Sequence, residues 1–253
     1  MLVGFAAALL VWVTVDVLRG GPWTRLDHTV SDQLRRTGVR AADWPQPSFW
    51  VKPVAYAVAE LGAWPPVFAV LVPFVAGLAW RRGSWRPVFL LGATVCLLAA
   101  VVYAGKVGVG RMPPVHDALH SPVGRSYPSG HVPTAVLGWG LAAWLAADYR
   151  VPAWLGRALA VLGWAVPLLV CAAMLVLDYH WLSDLVAGLA VGVLLLRVLH
   201  WIDRVTLRHW PGERDGGAGR GGARRRVRVP ARPRAGNSIR ATGGGAPADP
   251  AGC

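Results

Sequence analysis

The stretch GRSYPSGHVPTA, Gly124 to Ala135, gathers Arg, Ser, Gly and His at the mouth of a long apolar run. A helix start accounts for it: Pro128 ends whatever precedes it, and Ser129 is a good N-cap for the amides of a first turn. An anion site accounts for it equally, because a helix N-terminus preceded by Ser-Gly presents free N–H groups and a positive dipole end. Both readings use the same physics, and the local sequence does not choose between them. The rest of the chain must.

Working outward, the 253 residues are 55% hydrophobic and only 15% charged, with a mean hydropathy of +0.43, too apolar and too clustered for an ordinary soluble domain. The apolar runs are Leu2 to Leu18, Val54 to Trp80, Val88 to Gly105, Val132 to Ala147, Leu155 to Leu177 and Leu182 to Leu199. Most come near the roughly 20 residues that cross a bilayer. The expected fold is therefore all-α, a polytopic membrane bundle of about six transmembrane helices. The second run contains Glu60, Pro65, Pro66 and Pro73, so its membrane portion is expected to begin near Ala63. The first run lacks a basic leader and a small-residue cleavage site, and reads as an uncleaved span. Three regions follow: 1–53, a first span with an outer loop; 54–210, the transmembrane core; and 211–253, a basic tail.

Charge sets the expected orientation. Arg81, Arg82 and Arg86 crowd the link after the second run, Arg150 and Arg157 flank the link after the fourth, and Arg204 and Arg208 follow the sixth. The positive-inside rule makes these places cytoplasmic, with both termini inside and the first, third and fifth links outside. The loop from Arg19 to Lys52 opposes this with Arg25, Arg35, Arg36 and Arg40, but it also carries Asp27, Asp32 and Asp43. Its Leu26, Val30 and Leu34 recur at helical spacing, as in an amphipathic helix lying on the outer surface.

The tail from Pro211 to Cys253 is rich in Gly, Arg, Pro and Ala and reads as disordered. Arg224, Arg225, Arg226 and Arg228 suit anionic lipid headgroups better than nucleic acid, so membrane lipids are the expected partner and no nucleic acid is; a solvated tail without a partner is the plainer alternative. Cys96, Cys171 and Cys253 show no zinc or disulfide spacing, and no metal or other cofactor is expected.

With both termini inside, three polar segments meet on the outer face. They are GKVGVGRMPPV, Gly105 to Val115; the opening stretch; and LDYHWLSDLVAG, Leu177 to Gly188. In the last, His180 and Asp184 stand four apart and share a helix face, so the carboxylate can orient one imidazole nitrogen and raise the basicity of the other. A nucleophilic or basic histidine needs this. Each element alone has an ordinary explanation: interfacial histidine, snorkelling Lys106, loop cation Arg111. Their coincidence on one membrane face makes a candidate site.

The order of Lys106, then Pro-Ser-Gly-His at 128–131, then His180-x-x-x-Asp184 in a six-span frame resembles the type 2 phosphatidic acid phosphatase family of membrane lipid phosphatases, relatives of the vanadium haloperoxidases. The resemblance covers roughly Val54 to Trp201. It implies His180 as the nucleophile that forms a phosphohistidine, Asp184 as its orienting carboxylate and His131 as the acid that protonates the leaving oxygen. Lys106 and the amides of Ser129 and Gly130 would cradle the phosphate. The implied substrate is a lipid phosphate or an isoprenoid diphosphate, hydrolysed without metal at the extracytoplasmic face of the cell membrane.

Two positions depart from the pattern. The family's first-motif arginine falls on Pro113, with Arg111 two residues earlier as the nearest substitute, and its third-motif Ser-Arg falls on Ala173 and Met174. Arg125, three residues before the Pro-Ser-Gly-His turn, is a further cation of possible use. One lost donor costs about 10²- to 10³-fold in rate. A non-catalytic protein that binds a phospholipid headgroup is therefore the alternative reading. A transporter fits less well, because the polar residues cluster at one face and not at the midplane. Halide oxidation does not suit so apolar a chain.

Overall fold

The computed structural model describes residues 1–37, 50–114 and 125–207. The tail from Pro211 and the loop charges Arg40 and Asp43 lie outside the described residues. Those described form eight α-helices: α1 Leu2–Arg19, α2 Pro22–Arg36, α3 Val51–Glu60, α4 Trp64–Arg82, α5 Arg86–Val109, α6 His131–Asp148, α7 Ala153–Val176 and α8 Leu182–Ile202. A π-helical turn, Asp203–Leu207, extends α8.

The second apolar run breaks into α3 and α4, and the long helix begins after Ala63, where Pro65 and Pro66 occupy a first turn that needs no N–H from them. Among the described residues, five helices are long and apolar enough to cross a membrane: α1, α4, α5, α7 and α8. The expected sixth, α6, is long but less apolar, running from His131 to Asp148. Its position explains its composition. It packs against α4, α5, α7 and α8, and Val132, Ala135, Leu137, Leu141 and Leu145 are fully buried, so close helix contact matters more there than hydropathy.

Glycines permit that contact. A Cβ on Gly192 of α8 would stand 2.7 Å from Val136 Cβ, and one on Gly138 of α6 would stand 2.5 Å from Val67 of α4. At one end of this bundle α5, α6 and α8 bring together the polar segments singled out in the sequence. The other end carries Arg82, Arg86, Asp148 and Asp203.

The expected amphipathic helix is α2. The Asp16 carboxylate accepts the Trp23 N–H at 2.7 Å and the Thr24 N–H at 3.4 Å, closing the first turn. Leu26 is exposed and Val30 and Leu34 are half-buried, while Asp27 and Ser31 are buried. The helix packs on α1 and α8. Its buried stripe is thus polar, contrary to the usual pattern of an amphipathic helix.

Candidate active site

Helix α5 ends at Gly110, whose φ of 64° is the left-handed conformation that stops a helix, one turn after Lys106. Lys106 Nζ donates to the Arg125 carbonyl at 2.6 Å, and the Ser126 N–H donates to the Arg111 carbonyl at 2.7 Å. These bonds tie the end of α5 to the stretch that opens α6. Gly105 must be glycine for the same reason, since a Cβ there would meet Pro128 Cδ at 2.5 Å.

The Pro-Ser-Gly-His turn differs from its expected form. Gly130, not Ser129, holds the N-cap position of α6, and His131 is the first helical residue. Ser129 instead turns toward α8, where its N–H donates to the Asp184 carbonyl at 3.2 Å and its Oγ is buried without a hydrogen-bond partner among the described residues. Ser129 packs on α8, to which its N–H donates, and a Cβ added at Gly188 would stand 3.4 Å from Ser129 Cβ.

On α8, Asp184 is fully buried. Its Oδ2 accepts the Trp181 N–H at 3.1 Å and its Oδ1 accepts Arg111 Nη1 at 3.0 Å. His180 Nδ1 lies 3.5 Å from Oδ2, within ion-pair range but beyond a hydrogen bond, and is buried with no hydrogen-bond partner among the described residues. Unbound active sites often show such long contacts, which close when substrate arrives.

Arg111 is drawn further in than a loop cation. Nη1 also donates to Ser183 Oγ at 2.6 Å, Nη2 donates to Asp27 Oδ2 at 2.7 Å, and the guanidinium lies 5.1 Å from the centre of the Trp181 ring. The positions where the family pattern has arginine do not compensate. Pro113 is buried, and Met174 and Ala173 pack in an apolar cluster with Ala55, Ala59, Val132, Val170 and Leu177. Tyr127, beside the turn, shares a 2.6 Å hydrogen bond with Thr14 of α1, and burial pushes its phenol pKa up, so it stays neutral.

The structure therefore joins Lys106 to Arg125, and Arg111, Ser129 and His180 to Asp184; His131 follows directly on Ser129 and Gly130. Sequence reasoning missed Asp27 and Ser183. The available signal was an acidic residue on the amphipathic helix expected at the same outer face.

The profile of the PAP2 superfamily matches residues 87–207. That match covers just under half of the chain, 121 of its 253 residues. The match spans every helix that supplies the three polar segments. It also bears out the family resemblance seen in the motifs. A lipid A 1-phosphatase of Porphyromonas gingivalis is 32% identical over 148 residues, which are 54% of this chain and 30% of that relative. The chain thus spans about a third of the relative's length. The crystal structure of a transmembrane PAP2-type phosphatidylglycerolphosphate phosphatase from Bacillus subtilis superposes with a TM-score of 0.63 at 18% identity, covering 81% of this chain and 98% of that one. The shared fold and the five apolar helices among the described residues make the chain a multi-pass membrane protein.

Proposed function

We propose that the chain is a lipid phosphatase that hydrolyses a lipid phosphate or isoprenoid diphosphate at the outer membrane face through a phosphohistidine. The observation that carries this reading is the buried His180, its Nδ1 facing Asp184 at 3.5 Å and without a hydrogen bond among the described residues, at the bundle end that also holds Lys106, Arg111 and Arg125. Nε2 attacks phosphorus as the bond to the leaving oxygen breaks, and His131 protonates that oxygen. Asp184 holds the Nδ1 proton and stabilises the imidazolium that forms. Water then attacks the phosphohistidine, giving its proton to His131 and returning the His180 lone pair. Lys106, Arg111 and the Ser129–Gly130 turn, with Arg125 near the entrance, balance the charge on the phosphoryl oxygens.

A site at the end of a bundle, level with the bilayer edge, suits a substrate whose tail remains in lipid. The relatives' printed activities, on lipid A and on phosphatidylglycerolphosphate, fall in this class. The apolar packing at Pro113 and Met174 favours a second reading, a headgroup-binding protein without turnover.

Purified full-length chain in detergent, with chelator present, should release phosphate from phosphatidic acid or a long-chain isoprenoid diphosphate. Orthovanadate should inhibit, and acid-labile, alkali-stable label should be trapped on His180 from a ³²P substrate. A requirement for added divalent metal, or label on another residue, would overturn the mechanism; orthovanadate binding without turnover would favour the second reading. For the orientation, cysteines introduced at Met112 and Ser84 should respectively react with and resist an impermeant maleimide in intact cells.

A further inference from the structure

Helix α2 lies outside the residues matched to the superfamily, yet its Asp27 is 1% exposed and sits against the catalytic end of α8. We infer that Asp27 is a positioning residue for the proposed hydrolysis: it fixes the first turn of α8 and shares Arg111 with Asp184, so that Asp184 remains available to His180. This inference rests on the phosphatase reading above.

The geometry is that of a cap supplied by another helix. Asp27 Oδ1 accepts the Ser183 N–H at 2.8 Å, and Oδ2 accepts Ser183 Oγ at 2.5 Å and Arg111 Nη2 at 2.7 Å. Ser183 is the second residue of α8, so its N–H is one that the helix cannot satisfy internally. A carboxylate at that place also faces the positive end of the helix dipole. Inside α8 the acid of the first turn, Asp184, caps only the Trp181 amide. The Ser183 amide depends on α2.

The electrostatic role follows from the count of charges. One guanidinium stands between two buried carboxylates, with the Ser183 hydroxyl bridging it to Asp27. With Asp27 in place, neither carboxylate is fully neutralised by Arg111. Without it, Arg111 is free to close on Asp184 alone, which would weaken the pull of Asp184 on the imidazolium that develops at His180. Asp27 touches neither substrate nor His180 and acts through Arg111 and the α8 turn.

The test is steady-state kinetics of purified full-length protein on phosphatidic acid in mixed micelles, with thermal unfolding measured alongside. Asp27→Asn keeps the shape and an acceptor for the Ser183 amide but loses the charge. Its kcat should fall by about 10²-fold with KM in the same range, as expected for a misplaced reacting group. Arg111→Ala in that background should cost little more than the worse single change, because the two residues act as a unit. A kcat equal to the parent, a loss confined to KM, or losses that multiply in the double variant would overturn the inference. Should Asp27→Asn fail to accumulate, Ser183→Ala removes the bridging hydroxyl without stranding a charge. A fall of about tenfold in kcat is expected there, and a parent-like kcat would count against the role. A parent that neither turns over phosphatidic acid and isoprenoid diphosphate nor gains thermal stability from orthovanadate would refute the phosphatase reading itself, and the inference with it.

Discussion

The two ends of the bundle each set an arginine between two aspartates, and they put it to different use. At the end away from the site, Arg86 pairs with Asp203 through Nε at 2.6 Å and Nη2 at 2.9 Å and reaches Asp148 at 2.5 Å. The faces of Tyr149 and Trp144 lie 5.7 and 6.0 Å away, and His200 stacks on Trp144 with its Nδ1 engaged by the Leu196 carbonyl. At the other end Arg111 joins Asp27 to Asp184 beside Trp181, and His180 Nδ1 and Ser129 Oγ are buried without a hydrogen bond among the described residues. The same ionic arrangement thus serves as a latch at one end, where Arg86 and its two carboxylates close on one another, and at the other lies beside a histidine 3.5 Å from the shared carboxylate, as the proposed reaction centre needs.

The sharpest break in that comparison is chemical. His180→Ala should lower phosphate release by about 10⁶-fold, the scale of a lost nucleophile, and Asp184→Asn by about 10⁴-fold, the scale of a lost orienting carboxylate. Single-turnover release from a ³²P-labelled substrate measures both. Residual turnover in His180→Ala within tenfold of the parent would move the reaction away from this end of the molecule.

Next in size is the latch. Arg86→Met leaves Asp203, which is fully buried, without its counter-charge, and should cost about 3 kcal/mol of stability. Thermal unfolding in detergent should show a markedly lower midpoint, while kcat per folded molecule stays at the parent value. Replacing Arg86, Asp148 and Asp203 together by apolar residues should recover much of the loss, because a buried ion cluster is costly mainly when it is broken. An Arg86→Met protein that is stable but slow would mean that the two ends are coupled and that the latch is part of the catalytic apparatus.

How far the sequence discloses these two ends differs for a physical reason. Helical spacing and short motifs encode what one segment does alone, so the helices, the break before α4, the amphipathic α2 and the pairing of His180 with Asp184 were all legible. Contacts between distant segments leave no such trace. Asp27 and Ser183 are 156 residues apart, and Arg86 and Asp203 are 117 apart. Asp27 read as one of several charges on a surface helix, and Arg86 as a topology signal. Ser129 shows the same limit in reverse: its local propensity says N-cap, but Gly130 takes that position and the Ser129 N–H donates to Asp184 of a distant helix. The missing arginines at Pro113 and Met174 were visible as gaps. What fills Arg111's hands, two carboxylates and a hydroxyl, appears only in three dimensions.

The smallest effect concerns how α2 is attached, and it separates docking of the helix from the specific hold of Asp27 on Arg111. Asp16→Ala removes the acceptor for the Trp23 and Thr24 amides. Loss of such a cap costs about 1 kcal/mol, since Pro22 already removes one of the unsatisfied donors of that turn. Farther along, Asp27 still holds Ser183 and Arg111, and Arg35 still pairs with Asp178 at 3.2 Å. The start of α2 should therefore fray while its middle remains seated. Hydrogen exchange should speed up at the Trp23 and Thr24 amides and remain slow at Ser183, and kcat should fall by no more than about fivefold, the factor that 1 kcal/mol allows. If Asp16→Ala instead slowed turnover as much as Asp27→Asn, loosening α2 anywhere would suffice. The special role of the Asp27 carboxylate would then reduce to helix docking, and the parallel between the two arginine bridges would lose its functional half.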